Sequence, residues 1–374
     1  MNRDKPNIGV VTWPIHEAGL VPLQELAQIL LQFCHELHVI TGGAARDIPV
    51  GGDRGVQVHF VEQKPATNTF LRVTNHLLTQ VKISRRLCSV ARRVDVWIFF
   101  FGGSVLLLPM LTAKSLRRAV LLALPGSASE DIRAQVGNFM SNLAAGLARI
   151  NYALCDGIVV YSESLVTQWH LQKYRAKVFV AHKHFLDFDR FMAQTPLDER
   201  DDVVGYVGRL SLEKGITRFM EAIPKVLDMR ANTTFFVAGE GQAGPQIEEY
   251  AAHRKNELSF ADWIPHDELP QHLNRLKLLV LPSFTEGLPN IMLEAIACGT
   301  PVLATPVGAV PDVIKDGETG FIMADNAPAC IAENIVRALN HPSLEQIARD
   351  ARALVEREFT FEKAVAAYRE ILGG

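Results

Sequence analysis

At 374 residues the chain is long enough for two domains with separate cores. An apolar content of 48%, a charged content of 21% and a net charge of −3 describe an ordinary soluble globular protein and exclude nucleic acid as the main partner, which would demand a basic excess. The five cysteines, Cys34, Cys88, Cys155, Cys298 and Cys330, are scattered, odd in number and without a C-x-x-C pair. They fit a reducing compartment and exclude a disulfide framework or a zinc knuckle.

The chain opens on polar residues followed at once by a strand-like run, Ile8–Thr12, with no apolar targeting segment before it, so export is not expected. Short aliphatic runs then alternate with stretches of helical period, the pattern of a parallel sheet flanked by helices. Strands are expected at Ile8–Thr12, Glu36–Thr41, Val56–Val61, Val96–Phe100, Ala119–Leu124, Gly157–Tyr161 and Lys177–Ala181. Helices are expected at Val21–Phe33, Leu71–Val90 and Val136–Cys155. The long apolar stretch Val96–Leu111 is broken by Gly102, Gly103, Ser104 and Pro109, so it reads as a buried strand plus loop. A cytoplasmic protein follows from this reading.

A polar segment, Gln194–Asp202, reads as the end of a linker, after which the alternation restarts. Strands are expected at Val203–Val207, Thr234–Ala238, Leu278–Leu281, Pro301–Ala304 and Phe321–Met323, with helices at Ile216–Met229, Ile291–Ala297 and Ala329–Leu339. Thr360 is placed to cap a last amphipathic helix ending near Leu372. The expected fold class is α/β, with two Rossmann-like domains facing each other across a cleft. The first covers residues 1–190, a linker 191–202, the second domain 203–355, and a returning helix 356–374. Ligands of such open sheets bind beyond the carboxyl ends of the strands.

Two segments of the second half carry chemistry. In Gly205–Gly215 a strand runs into a glycine turn that presents Arg209 and Lys214 just ahead of a helix. A diphosphate needs compact positive charge and open backbone N–H groups, and this arrangement offers both. Solvated surface cations are the plain alternative. In Pro282–Val302, Glu286 lies on a tight loop and Glu294 about one turn into the following helix. Acidic groups suit ribose hydroxyls, and amides at a helix start suit sugar or phosphate. The plain alternative is one glutamate favouring the helix dipole and another facing solvent.

Together G-R-L-S-x-E-K-G, G-E-G and P-S-x-x-E-G-x-P-x-x-x-L-E-A-x-A-C-G-x-P-V resemble glycosyltransferase family four, with further matches at Gly308–Asp312, Gly317–Phe321 and the closing F-T-F-E-K. The resemblance covers about residues 155–374, while the first 150 match only in rhythm. It implies a GT-B fold and retaining, metal-independent transfer of a hexosyl group from a nucleotide-diphosphate sugar to a hydroxyl acceptor, a glycan or a lipid-linked one. By it, Arg209 and Lys214 grip the diphosphate, with Gly208 and Gly239 on the strand-end turns of the donor domain. Glu286 and the amides of Gly287, Leu288, Pro289 and Asn290 face the donor sugar, Glu294 holds the ribose, and Ile264 lies beside the nucleobase. Catalysis would rest on Arg209, Lys214 and Glu286, with no cofactor and no metal.

The loop after the first strand, Trp13–Leu20, has one glycine where the family carries a pair, and Gly19 is assigned to the donor phosphates. The family's first-domain histidine is missing from Phe101–Ser104 and Pro125–Glu130, leaving His16 as a substitute. Asp187-Phe-Asp189 has D-x-D spacing but fits a domain junction, and His182 with His184 does not complete a metal site. From Phe70 to Val94 the charges are Arg72, Lys82, Arg85, Arg86, Arg92 and Arg93, without an acid. A basic amphipathic helix over 70–93 would place the chain peripherally on an anionic surface, the inner face of the cell membrane; a solvated surface helix is equally open. Also open are a nucleotide-sugar epimerase and a catalytically inactive sugar-nucleotide-binding protein. A nicotinamide enzyme is disfavoured because no G-x-G-x-x-G follows Ile8–Thr12 or Val203–Val207.

Overall fold

The computed structural model describes residues 5–47, 55–63, 69–125, 138–182 and 184–373, and its contacts divide the chain into two units, Met1–Phe185 with Phe361–Gly374, and Leu186–Thr360. Each is built on one parallel sheet, the fold class read from the sequence.

In the first unit the strands β1 (Ile8–Val11), β2 (Leu37–Thr41), β3 (Val56–Phe60), β4 (Val96–Phe99), β5 (Ala119–Ala123), β6 (Gly157–Val160) and β7 (Val178–Val180) pair in the order β3-β2-β1-β4-β5-β6-β7. The helices are α1 (Leu20–Leu30), α2 (Thr69–Val90), α3 (Leu107–Ser115), α4 (Asn138–Leu154) and α5 (Glu163–Gln168). The inner strands are buried along their whole length, as in β1 and β6, which is why they read as unbroken aliphatic runs. The loop expected after Phe100 is instead helical from Leu107. Pro109 falls in the first turn of α3, where its missing N–H costs no helical bond.

In the second unit β8 (Val203–Val207), β9 (Thr234–Ala238), β10 (Leu258–Ala261), β11 (Leu278–Leu281), β12 (Val302–Ala304) and β13 (Phe321–Ile322) pair in the order β10-β9-β8-β11-β12-β13. Its helices are α6 (Ile216–Met229), α7 (Gly244–His253), α8 (Leu269–Leu273), α9 (Asn290–Ala297), α10 (Val310–Val313), α11 (Pro328–Leu339) and α12 (Leu344–Glu358). Sequence reading missed β10, α7, α8, α10 and α12. The last helix, α13 (Phe361–Gly373), starts directly after Thr360 and returns to the first unit, burying Ala364, Val365 and Tyr368 in the core that holds Leu23 and Leu26 of α1.

The segment 191–202, expected as a linker, clusters with the second unit, and so do residues 356–360. Arg200 explains the first. Its guanidinium is buried and donates to the carbonyl oxygens of Thr195, Leu276 and Cys298 and to Thr300 Oγ1, at 2.7–3.1 Å. Burial lowers its pKa, and the neighbouring Cys298 opposes the shift.

Candidate functional site

The order of the second sheet runs one way from β8 to β10 and the other way from β11 to β13, so the β8–β11 junction is its topological switch point. Loops leaving the carboxyl ends of strands at such a junction diverge and leave room for a ligand. The two motif segments are the loops after β8 and β11.

After β8, Gly208 takes φ +154° and its N–H donates to Ala238 O at 3.0 Å. Gly239 takes φ +138°, and a side chain there would overlap the Gly208 carbonyl. The turns after β8 and β9 therefore touch through backbone alone. Tyr206, fully buried, donates its hydroxyl to Arg209 O at 2.7 Å; burial, helped by the nearby Glu286 and Glu213 carboxylates, raises its phenol far above the usual range and keeps it a donor. The Arg209 side chain is 57% exposed and lies 3.5 Å from Glu213. A turn at Leu212–Lys214 ends in Gly215, at φ +72°, which starts α6.

After β11 the chain turns back onto that segment. The Phe284 N–H donates to Glu213 O at 2.9 Å. A Cβ on Gly215 would overlap Pro282 O. Lys214 Nζ lies 2.6 Å from Glu286 Oε2, and Ser283 Oγ donates to Glu286 Oε1 at 2.7 Å. The Lys214 and Glu286 side chains are 22% and 9% exposed, so the pair is largely withdrawn from solvent screening. Gly287 O accepts the Ala309 N–H at 2.7 Å, and Gly308, at φ +61°, passes so close to Glu286 O and Gly287 O that no side chain fits. Leu288 is buried, Pro289 is extended, and no side chain caps α9, which starts at Asn290.

One turn on, Glu294 is 8% exposed, which excludes a solvent-facing residue. Its Oε1 lies 2.8 Å from His266 Nε2. His266 follows the half-buried Ile264 on the loop after β10. The structure thus brings together Gly208 with Gly239, Lys214 with Glu286 and Gly287, and Glu294 with the loop of Ile264. Arg209 stands at the exposed end of the same turn. Gly19 belongs to the first unit, at the end of a short turn leading from β1 into α1, and His16 is exposed just before it.

His266 and Ser283, which meet Glu294 and Glu286, escaped the sequence reading. Ser283 was in view inside the P-S motif, but the separation of 28 positions from His266 to Glu294 hides their meeting from any local pattern. Asp187 Oδ1 accepts the N–H groups of Asp189 and Arg190 at 3.1 and 3.2 Å, so this carboxylate shapes its own turn. Among the described residues no group of three or more His, Cys, Asp or Glu side chains is placed to hold a metal ion. The loop from Gly126 to Glu130 lies outside the described residues, and so does Lys183 between His182 and His184.

The chain is similar to the alpha-D-kanosaminyltransferase of Streptomyces kanamyceticus, 30% identical over 205 residues that cover 52% of this chain and 53% of that one. It is 25% identical to an uncharacterized glycosyltransferase, MJ1607, of Methanocaldococcus jannaschii over an alignment of 383 residues covering 95% of each. The chain spans about half the length of the curated relatives that it matches at 30% identity. Its structure resembles that of Anabaena Alr3699/HepE in complex with UDP, with a TM-score of 0.75 at 16% identity over 98% of this chain and 99% of that one. That likeness shows the fold, two Rossmann-like domains of the GT-B type. Residues 201–341, the part that carries the site just described, match the family model described as Glycosyl transferases group 1.

Proposed function

We propose that the chain transfers a hexosyl group from a nucleotide-diphosphate sugar to a hydroxyl acceptor, with retention of configuration and without a metal. One observation carries the reading: Lys214, Glu286 and Ser283 converge at the switch point, beside the uncapped start of α9 and the buried Glu294. As the bond from sugar to diphosphate breaks, negative charge grows on the phosphate oxygens and positive charge on the sugar. Lys214 and Arg209 stabilise the former, in the part a metal plays elsewhere, and Glu286 stabilises the latter. The amides of Gly287 to Asn290 orient the sugar, Glu294 takes the ribose hydroxyls, Ile264 borders the base, and Gly208 and Gly239 let backbone approach the phosphates. The HepE structure holds UDP, which makes uridine the first nucleoside to try. The relatives named above are transferases, and none favours an epimerase.

Lys214→Ala tests the assignment. Losing a cation aimed at developing charge should lower turnover by roughly two to three orders of magnitude. Unchanged product formation removes Lys214 from the mechanism, and a wild-type protein that binds UDP-sugars without forming product with any acceptor supports a binding protein instead.

The acceptor side of the proposal is a glycan or lipid-linked hydroxyl met at an anionic membrane surface. Support comes from α2, α3 and α4, which contain Arg72, Lys82, Arg85, Arg86, Lys114 and Arg149 and no aspartate or glutamate. The same helices expose Leu77, Leu78, Leu108, Leu111, Leu143 and Ile150, and α3 packs against both of its neighbours. Among the described residues no helix is long and apolar enough to cross a membrane. Co-sedimentation with phosphatidylglycerol vesicles but not phosphatidylcholine vesicles is expected, and absence from both pellets refutes the membrane part alone.

A further inference from the structure

Glu294 poses a question that the donor reading leaves open. It lies in α9 among Met292, Leu293, Ala295, Ile296 and Ala297, all buried, and its own side chain is 8% exposed. A carboxylate in such a place is costly unless hydrogen-bonded. Among the described residues, the side chain that meets it is His266, Nε2 to Oε1 at 2.8 Å. An ionised carboxylate only accepts, so the proton lies on the imidazole Nε2 and the ring donates.

The histidine is itself held. Its ring packs against the buried Phe191, with centroids 5.2 Å apart. The turn that bears it is closed by Pro265 O, which accepts from Glu268 and Leu269 N–H at 2.9 and 3.2 Å. That turn leads into α8, which packs on α9, the helix of Glu294. Donor and acceptor therefore sit on two packed elements, and the hydrogen bond fixes one carboxylate oxygen on the protein side. Oε2 has no hydrogen bond among the described residues and is the oxygen left for a ligand.

We infer that His266 is a positioning residue for ribose recognition: it ties Oε1 of Glu294 so that Oε2 alone is presented to the vicinal ribose hydroxyls of the donor. The inference rests on the ribose role proposed for Glu294. A carboxylate that can rotate about its last bond loses that freedom when a hydroxyl pair binds, and a carboxylate already locked has none to lose. Phe191 acts one step further back, as the wall that keeps the ring in place.

The test compares a nucleotide with and without the hydroxyls in question. The probe is whichever of UDP, GDP and ADP most raises the melting temperature of the wild-type protein, together with its 2′,3′-dideoxy counterpart, both titrated by calorimetry. His266→Phe keeps the ring against Phe191 and removes the donor, and His266→Gln restores a donor on a chain of similar length. His266→Phe should weaken the ribonucleotide about tenfold, the worth of one hydrogen bond to a charged group, and leave the dideoxy compound unchanged. His266→Gln should recover most of that loss, and Glu294→Gln should cost at least as much as His266→Phe. If His266→Phe weakens both nucleotides equally or neither, while Glu294→Gln weakens only the ribonucleotide, the positioning role is wrong and the ribose reading stands. His266→Gln binding no better than His266→Phe also overturns it. If Glu294→Gln treats the two nucleotides alike, the ribose reading itself falls, and no stabilisation by any of the three nucleotides ends both. Should His266→Phe fail to fold, His266→Asn, whose amide stops short of Glu294, takes its place.

Discussion

Besides the Lys214–Glu286 pair, the two halves of the site meet backbone on backbone, and Gly215→Ala addresses that approach directly. Two costs add. At φ +72° an alanine sits in the left-handed region, worth about 1 kcal/mol. Its Cβ would also overlap Pro282 O, and a carbonyl in a tight loop has no rotamer by which to move aside. Either the turn before α6 or the loop after β11 must shift, which stretches the 2.9 Å bond from Phe284 N–H to Glu213 O and the 2.6 Å Lys214–Glu286 contact. Overpacking of that kind costs about 1–3 kcal/mol. The sum, roughly 2–4 kcal/mol, corresponds to a fall in melting temperature of about 4–16 °C for a unit of this size. A displacement of about 1 Å at the reacting groups should lower turnover roughly a hundredfold.

A control separates the two costs. Gly317 has φ +75° but nothing within 4 Å of the place where a Cβ would stand. Gly317→Ala should therefore show only the conformational cost of about 1 kcal/mol, a few degrees of melting temperature, and full turnover. Differential scanning calorimetry and a coupled assay of nucleoside diphosphate release read both quantities. If Gly215→Ala melts and turns over like Gly317→Ala, the close approach to Pro282 does not hold the site together and the reasoning fails.

Arg200→Leu should destabilise the second unit by about 3–5 kcal/mol, because four carbonyl or hydroxyl groups lose a buried donor at once; urea unfolding gives the figure, and a loss under 1 kcal/mol refutes the hub. Burial pushes the thiols of Cys34 and Cys155 up to about 11 and that of Cys298 up to about 12, so iodoacetamide at neutral pH should modify Cys88, exposed on α2, and reach those three only on unfolding, as peptide mass mapping will report. The hydrogen bond from Arg337 holds the Asp316 carboxyl below its ordinary value, helped by the Ile322 N–H and opposed by burial. A depressed pKa stabilises the fold above the usual carboxylate range, near ~3.9, and the gain vanishes as pH falls through the depressed value. Asp316→Asn should thus melt below wild type at pH 7 and converge with it in acid, and a gap independent of pH refutes the linkage.

The strands at the centre of each sheet were legible because burial on both faces demands aliphatic runs, and Val203–Val207 and Leu278–Leu281 stand where the residues put them. At the edge the signal fades. In β10 Ser259 is exposed and Phe260 and Ala261 are half-buried, so Leu258–Ala261 carries no such run. Arg200 misled for a related reason: among Asp198, Glu199, Asp201 and Asp202 it reads as one more solvated charge, whereas its partners are carbonyls 76 and 98 residues away. The site divided along the same line. Residue types that the proposed chemistry calls for, Lys214, Glu286 and Glu294, show in sequence, and the contacts around them, from Ser283, His266 and the Phe284 amide, do not.

Three glycine contacts share one geometric reason. Gly239 lies on Gly208 O, Gly215 on Pro282 O, and Gly308 on the carbonyls of Glu286 and Gly287, each with positive φ at the glycine that makes the approach. The loops after β8 and β11 spread apart at the switch point, so polar groups on them converge only if something draws them together; Gly215 does so directly, and Gly239 and Gly308 brace the same two loops from β9 and β12. Side chains between them would hold the backbones away from one another by at least a carbon's width. Glycine removes that width, and the carbonyls it meets belong to the loops carrying Arg209, Lys214 and Glu286. In the proposed mechanism the cations and the carboxylate supply the chemistry, and their spacing is set by residues with no side chain. Stability should for that reason be more sensitive to a methyl group at Gly215 or Gly308 than to the loss of the Arg209–Glu213 ion pair at the exposed end of the turn, which is worth about 0–1 kcal/mol to the fold.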